Sequence, residues 1–177
     1  MFLDNKLTFN TAVGSPQTVS ATADSAGIID ITGAGSGNAP AMINGFPALN
    51  TAIGSDYGSG DGVAIPHVLL SVPVAGTGTG TVTISVQAAP DDGSYGQGSY
   101  TTLVSTPALV GTTFVKGTVI DIPLPPIRVT QGEALPRFYK LVYTVGGTAS
   151  VQFNANLALN PAQVAVAGQY ANNFIAV

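Results

Sequence analysis

Apolar and polar residues alternate along several stretches of the chain, and this alternation predicts β-strands. The clearest pair of stretches, residues 139–145 and 151–159, lies on either side of Gly146-Gly147. An earlier pair, residues 68–74 and 82–86, is joined by the connector AGTGTG (75–80). A period of two is typical of strands with one buried face, and short glycine-containing connectors are typical of hairpins. We therefore predict a β-hairpin around each connector.

Further strands are predicted at residues 27–32, 100–105 and 118–124. Pro123, Pro125 and Pro126 cannot donate to a β-ladder, so the last of these strands is expected at a sheet edge or leaving the sheet. At least six or seven strands separated by turn residues fit a sandwich, a jelly roll or a partly closed barrel. We predict an all-β, jelly-roll-like antiparallel β-sandwich that occupies residues 1–159.

Two segments lack this strand pattern although they carry apolar residues. One is a glycine-rich insertion at residues 33–62, and the other is a C-terminal arm at residues 160–177. Connections this long are usually functional or disordered, and their apolar side chains need a surface to cover them. Together with the N-terminal segment, they supply the predicted interface residues: Phe2, Leu3, Met42, Phe46, Leu49, Tyr170, Phe174 and Ile175.

Composition supports the β assignment and excludes several classes of function. Of the 177 residues, 45% are hydrophobic and only 8% are charged, and the net charge is −4. A nucleic-acid-binding protein needs clustered cations, so that class is not expected. No cysteine is present, which excludes disulfides and thiolate chemistry. We also expect neither a signal peptide nor a membrane span. The solvent-facing residues must then be mostly Thr, Ser, Asn and Gln.

Three sequence features resemble chemical sites. The run GTGTGT (76–81) lacks the lysine of a phosphate-binding loop and precedes a predicted strand rather than a helix, so it is interpreted as a connector. Asp91-Asp92-Gly93 and DYGSGD (56–61) lack calcium-loop spacing and are interpreted as turns. His67, the single histidine, is interpreted as a polar residue at a strand end. We therefore predict no metal, no cofactor and no catalytic residue.

The tyrosines leave one alternative open. Tyr139 and Tyr143 share the apolar face of a predicted strand and are expected in the core. Tyr57, Tyr95 and Tyr100 lie in or beside predicted loops, where aromatic rings can stack on sugars. A carbohydrate-binding β-sandwich of a tail spike or adhesin is therefore the alternative function, and a hydrolase centred on His67 is a weaker one.

The order of these segments resembles the Bbp16-like capsid cement (decoration) proteins of tailed bacteriophages. The resemblance rests on MFLDNKLTF, ATADSAGIIDI, VLLSVPVAGTGTGTVTISVQAAPDDGSY, TTLVSTPAL, IPLPP and PRFYKLVYTVGGTASVQFNANLAL, in this order along residues 1–159. The insertion is longer than the family pattern requires, and the arm continues past the family's last strand. Both are therefore candidates for contacts specific to this chain.

The resemblance implies a small jelly roll on the outer surface of a capsid, where it clamps neighbouring major capsid protein subunits. The expected partners are the major capsid protein and other copies of the chain, with a homodimer favoured over a homotrimer. The expected location is the virion, after synthesis in the host cytoplasm. A cement role needs no catalytic group, and many simultaneous contacts supply avidity.

Overall fold

The computed structural model describes residues 8–31, 67–125 and 136–158, together with the backbone of residues 42–43 and 46–47. These residues form β-strands and one short 3-10 helix, Gly111–Thr113. The strands are β1 (Gln17–Val19), β2 (Ala23–Asp24), β3 (Ile29–Asp30), β4 (Met42–Ile43), β5 (Phe46–Pro47), β6 (His67–Ser71), β7 (Thr81–Pro90), β8 (Thr101–Ser105), β9 (Leu109–Val110), β10 (Val119–Pro123), β11 (Pro136–Gly146) and β12 (Val151–Ala158).

Two antiparallel sheets pack against each other. The four-stranded sheet has the order β1-β12-β6-β10, and the six-stranded sheet has the order β2-β11-β7-β8, with β3 beside β11 and β9 beside β7. From β6 onward the chain alternates between the sheets: β6, β10 and β12 lie in the first, whereas β7 to β9 and β11 lie in the second. This is the strand order of a jelly roll. The predicted all-β sandwich is confirmed.

The core lies between the sheets and is built from alternate residues of each strand. Val82, Ile84 and Val86 of β7 are fully buried, and so are Tyr139 and Tyr143 of β11, as predicted. The Tyr143 ring stacks on Phe153 of the opposite sheet, with 5.5 Å between ring centroids. Such aromatic pairs contribute about 1 kcal/mol beyond the area that they bury.

Both predicted hairpins are wrong. β6 and β7, which AGTGTG joins, lie in different sheets, and so do β11 and β12, which Gly146-Gly147 joins. Instead β7 pairs with β11 along its length, and β6 pairs with β12. Each connector is a corner that carries the chain across the sandwich. Period-two alternation identifies an inner face, but both sheets have apolar inner faces, so the pattern does not say which sheet a strand joins.

The position of β10 confirms a prediction, and the insertion contains a short ladder of its own. β10 is the last strand of the four-stranded sheet, in agreement with the edge position predicted from its prolines. Within the insertion, β4 and β5 pair as a small antiparallel ladder. They are separated in sequence by Asn44-Gly45, a dipeptide that favours two-residue hairpins. This ladder belongs to neither sheet of the sandwich, so it does not contradict the prediction that the insertion lacks the pattern of a core strand.

Candidate interaction surfaces

The outer surface of the six-stranded sheet is rich in hydroxyl groups and nearly free of charge. On β7, Thr81, Thr83, Ser85 and Gln87 face outward and are partly exposed, whereas the residues between them are buried. Ser85 and Ser105 of β8 share a hydrogen bond of 2.7 Å between hydroxyls, and the Gln87 amide donates to the Thr102 hydroxyl over 3.1 Å. We call this surface the hydroxyl face; it comprises Thr81, Thr83, Ser85, Gln87, Thr102, Ser105 and Thr144.

A single ion pair marks one end of the hydroxyl face. Lys140 lies opposite Gln87 in the β11–β7 ladder, and its ammonium group is 2.7 Å from a carboxylate oxygen of Asp24. The same ammonium lies 4.4 Å from the centroid of the Tyr100 ring, within cation–π range. Burial raises the pKa of Tyr100 to about 12, and the negative charge of Asp24 contributes to this shift. Lys140 is therefore held by its neighbours and adds little net charge to the face.

The Asp91-Asp92 segment forms a tight loop, as the turn interpretation predicted. Asp91 accepts the backbone N–H groups of Gly93 and Tyr95, and Asp92 accepts those of Ser94 and Gly96, over 2.8 to 3.0 Å. The carboxylates are thus used to close the loop on itself. Among the described residues, no three His, Asp or Glu side chains lie close enough together to hold a metal ion.

An arginine that the sequence did not single out anchors this loop to the sheet. Arg137 is buried, forms a bidentate pair with Asp30 over 3.0 Å at both contacts, and is also hydrogen-bonded to Asp91. Its guanidinium carbon lies 4.7 Å from the centroid of the Phe138 ring. Desolvation alone would raise the pKa of Asp91, but the hydrogen bonds from Arg137 and the loop amides together lower it. The cluster is structural, because every charge in it has a partner inside the fold.

The glycine-rich connector is a packing corner, and the N–H groups of Gly76, Thr77 and Gly80 are hydrogen-bonded within the fold. The N–H of Gly76 donates to Phe114 O over 2.7 Å, and that of Gly80 donates to Thr148 O over 2.7 Å. Thr77 and Ser150 exchange a pair of backbone hydrogen bonds across the two corners. A Cβ atom on Gly80 would lie 2.6 Å from Gly146 O. The glycines are therefore required because the backbones of the two corners approach each other closely.

His67 has a carboxylate partner. Its Nδ1 lies 2.6 Å from Asp121 Oδ1, across the β6–β10 ladder, and both side chains are partly exposed. A hydrolase would need a nucleophile in addition to this pair. Among the described residues, no serine or threonine hydroxyl is hydrogen-bonded to His67. The pair explains how the strand-end histidine is satisfied, and Asp121 is the partner that sequence spacing did not reveal.

Exposed apolar side chains concentrate beside β10. Val74, Val115 and Val119 are 53%, 59% and 56% exposed. They lie on adjoining segments, because the N–H of Gly76 donates to Phe114 O and the N–H of Gly117 donates to Val72 O. Lys116 lies among them and is exposed. We call Val74, Val115 and Val119 the valine cluster.

Most of the predicted interface residues lie outside the described part of the structure. This holds for Phe2, Leu3, Leu49, Tyr170, Phe174 and Ile175. Met42 lies in β4 opposite Pro47, and Phe46 lies in β5 opposite Ile43, so the two residues belong to one small ladder. Within the described residues, no helix is long and apolar enough to cross a membrane. Compared with known proteins, the chain matches no protein-family model and no curated sequence.

Proposed function

We propose that this chain is a capsid cement (decoration) protein that binds the outer surface of a tailed-phage capsid and stabilises it by bridging major capsid protein subunits. The observation that supports this proposal best is the hydroxyl face: a broad sheet surface that offers hydrogen-bonding groups but almost no charge. The resemblance of the sequence to phage cement proteins points in the same direction.

The hydroxyl face suits a contact that is repeated many times on a lattice. Hydroxyl and amide groups can form hydrogen bonds with a neighbour without the desolvation cost of burying charges. Each contact can be weak, because a protein bridging several subunits gains avidity from simultaneous binding. The rigid corners and the buried Arg137 cluster fix the shape of the surface, so little conformational entropy is lost on binding.

The distribution of charge argues against nucleic acid as the partner. Arg137 and Lys140 are both held in ion pairs with aspartates, which leaves Lys116 as the one cation of the described residues outside an ion pair. Binding to a phosphate backbone requires several cations that can displace counterions. The proposed partners are therefore the major capsid protein and further copies of this chain, with a homodimer favoured.

Besides the hydroxyl face, the proposal includes contacts from three further segments of the chain. Apolar residues that lack the alternation of a sandwich strand in the sequence occur at Phe2 and Leu3, in the insertion and in the C-terminal arm. Apolar arms and extended segments commonly attach to a neighbour by adding strands or filling pockets. The proposed role needs no catalytic group and no cofactor.

The direct test is co-sedimentation with assembled capsids built from the major capsid protein of the same virus. We expect a fixed ratio of this chain to the capsid protein at saturation, and a higher temperature of capsid disruption when the chain is bound. Saturable binding to glycans together with no capsid association would instead identify a carbohydrate-binding module.

Variants of the hydroxyl face test the observation that supports the proposal. Thr144 is exposed and lies opposite Thr83 in the β11–β7 ladder, so Thr144→Lys and Thr144→Glu leave the core intact but place a charge in the contact. We expect either variant to lower capsid occupancy at least about tenfold, since a buried unpaired charge costs several kcal/mol. Thr18→Lys, on the exposed face of β1 in the other sheet, is the matched control. Equal occupancy of all variants would exclude the hydroxyl face from the contact.

A further inference from the structure

In the described part of the chain, the two sheets have four edges, and three of these are short or blocked. β1 has three residues, and β2 and β3 have two each, so these edges offer few free backbone groups. β10 has five residues, but they include Asp121 and Pro123. A charge, a proline or a very short strand at an edge discourages pairing with another molecule.

The fourth edge, β8, is neither short nor charged. Its five residues, TTLVS (101–105), include no proline, and among the described residues β8 pairs only with β7. Thr101, Thr102 and Ser105 are exposed, and Leu103 and Val104 are half-buried. An edge of this length without a charge or a proline is suited to receive a strand from another molecule.

The backbone at the end of β8 has hydrogen-bonding groups that point away from the sheet. Thr106 N donates to Ile84 O over 2.9 Å, so the backbone of Thr106 faces β7. Successive residues of a strand direct their backbone groups to opposite sides. The N–H and carbonyl groups of Ser105, which lies opposite Ser85 in the ladder, therefore point outward from the edge.

The side chains of β8 separate into a core side and a hydroxyl side. The β7–β8 register shifts between Val86 and Gln87, and both Leu103 and Val104 pack against the core. Thr102 and Ser105 lie on the opposite side, where they belong to the hydroxyl face. A strand added at this edge would therefore meet hydroxyl groups at the outer surface of the sheet.

These groups fit a second copy of the same strand. A two-fold axis places a surface against itself, so each group must be able to pair with its own kind. Hydroxyl groups can do so, because they both donate and accept hydrogen bonds. No charged residue occurs from Gly93 to Val115, so two copies that meet along β8 bring no like charges together.

We propose that β8 of one copy pairs antiparallel with β8 of a second copy across a two-fold axis, so that the six-stranded sheets of two chains form one continuous sheet. The axis is perpendicular to the sheet, which places the hydroxyl faces of both copies on the same side. The pairing locates the contact between copies, and it rests on the part of the proposed function that names further copies as partners. It also doubles the surface that one dimer offers to a capsid.

A single-cysteine scan of residues 101–105 tests the pairing in the full-length chain, which contains no cysteine of its own. Identical residues of two antiparallel strands separate by about 7 Å for each residue away from the axis, and a disulfide needs Cα atoms within about 7 Å. We expect links between two chains at one position or two neighbouring positions, with linkage at least about tenfold lower two residues away. Thr18→Cys, exposed on β1, is the matched control. Linkage no greater than in this control, or equal at all five positions, would overturn the proposal.

Sedimentation equilibrium over a range of protein concentrations tests the same contact without a covalent link. The double variant Thr101→Lys/Ser105→Lys brings two lysines from each copy to the junction, at positions that are exposed in the single chain. We expect its dimer dissociation constant to rise at least about tenfold, because lysines at an edge oppose strand pairing. Thr18→Lys should leave the dissociation constant unchanged. Equal dissociation constants in the double variant and the wild type would exclude β8 from the contact.

The outcomes separate this pairing from the proposed cement role. A monomeric chain that still saturates capsids would exclude the pairing alone. A dimer linked through β8 that does not bind capsids would exclude the cement role alone. A monomeric chain whose capsid occupancy falls in the double lysine variant would identify a strand of the capsid protein, rather than a second copy, as the occupant of the edge.

Discussion

At the scale of single residues, ion pairs in the sandwich join side chains that are far apart in the sequence, and local sequence does not reveal which charges will pair. Arg137 contacts Asp30 and Asp91, which are 107 and 46 residues away along the chain. Nothing in the spacing of these residues distinguishes them from other charges in the sequence. The Asp91 turn itself was predictable, because Pro, Asp and Gly favour turns by local backbone chemistry. The function of Arg137 as its anchor could not be predicted, because it depends on how β11 and β7 pair.

The buried pair should matter more to stability than the exposed one. Asp30→Asn replaces the bidentate carboxylate partner of the buried Arg137 guanidinium with a neutral amide, while Asp91 still balances part of the positive charge, so we expect a cost of about 2 kcal/mol or more. Asp24→Asn is the matched control, because it weakens the exposed pair with Lys140 and should cost about 1 kcal/mol or less. Urea unfolding measures the loss in the free energy of unfolding for both variants. Equal losses would contradict the structural role assigned to Arg137.

At the scale of elements, alternation located strands well but did not assign them to sheets. The apolar faces of β7, β11 and β12 follow the predicted alternation. The two predicted hairpins were wrong because the glycines of the connectors were interpreted as a hairpin signal. In the structure the same glycines serve a close approach between two corners, which depends on residues 146–150 lying against residues 76–80. The arm and the insertion are proposed as contact segments from sequence alone, because their apolar residues lack the alternation of a sandwich strand.

The corner can be tested by comparing two glycines with the same backbone conformation. Gly78 and Gly93 have φ values of +87° and +86°, but a Cβ atom on Gly78 would collide with the Thr148 carbonyl, whereas one on Gly93 meets nothing within 4 Å. Gly93→Ala should therefore cost only about 1–2 kcal/mol, from the left-handed conformation. Gly78→Ala should cost about 3 kcal/mol or more, because steric overlap adds to that penalty. Thermal or urea unfolding gives the difference, and similar costs at the two sites would contradict the close packing of the corners.

At the scale of the whole molecule, the described groups with shifted pKa values set limits on the stable pH range. The acid limit depends on Asp91, whose folded pKa lies below its ordinary value of 3.8. A depressed folded pKa stabilises the fold above the unfolded value, and this contribution is lost as the pH falls through the folded value. We expect the free energy of unfolding to decline below about pH 4, with a shallower decline in Asp91→Asn. An equally steep decline in Asp91→Asn would mean that Asp91 does not contribute to the loss of stability in acid.

The alkaline limit depends on tyrosines that burial keeps protonated. Burial raises the pKa of Tyr100 to about 12 and raises that of the core residue Tyr143 further. Unfolded tyrosines ionise near pH 10, so between about pH 10 and pH 12 the unfolded chain releases protons that the folded chain retains. The free energy of unfolding should therefore fall as the pH rises through this range. Tyr100→Phe keeps the ring beside Lys140 but removes the ionisable hydroxyl, so urea unfolding at a series of pH values should show a shallower fall. Tyr95→Phe, at an exposed loop position, is the control. A slope unchanged by Tyr100→Phe would mean that Tyr100 does not contribute to the alkaline loss of stability.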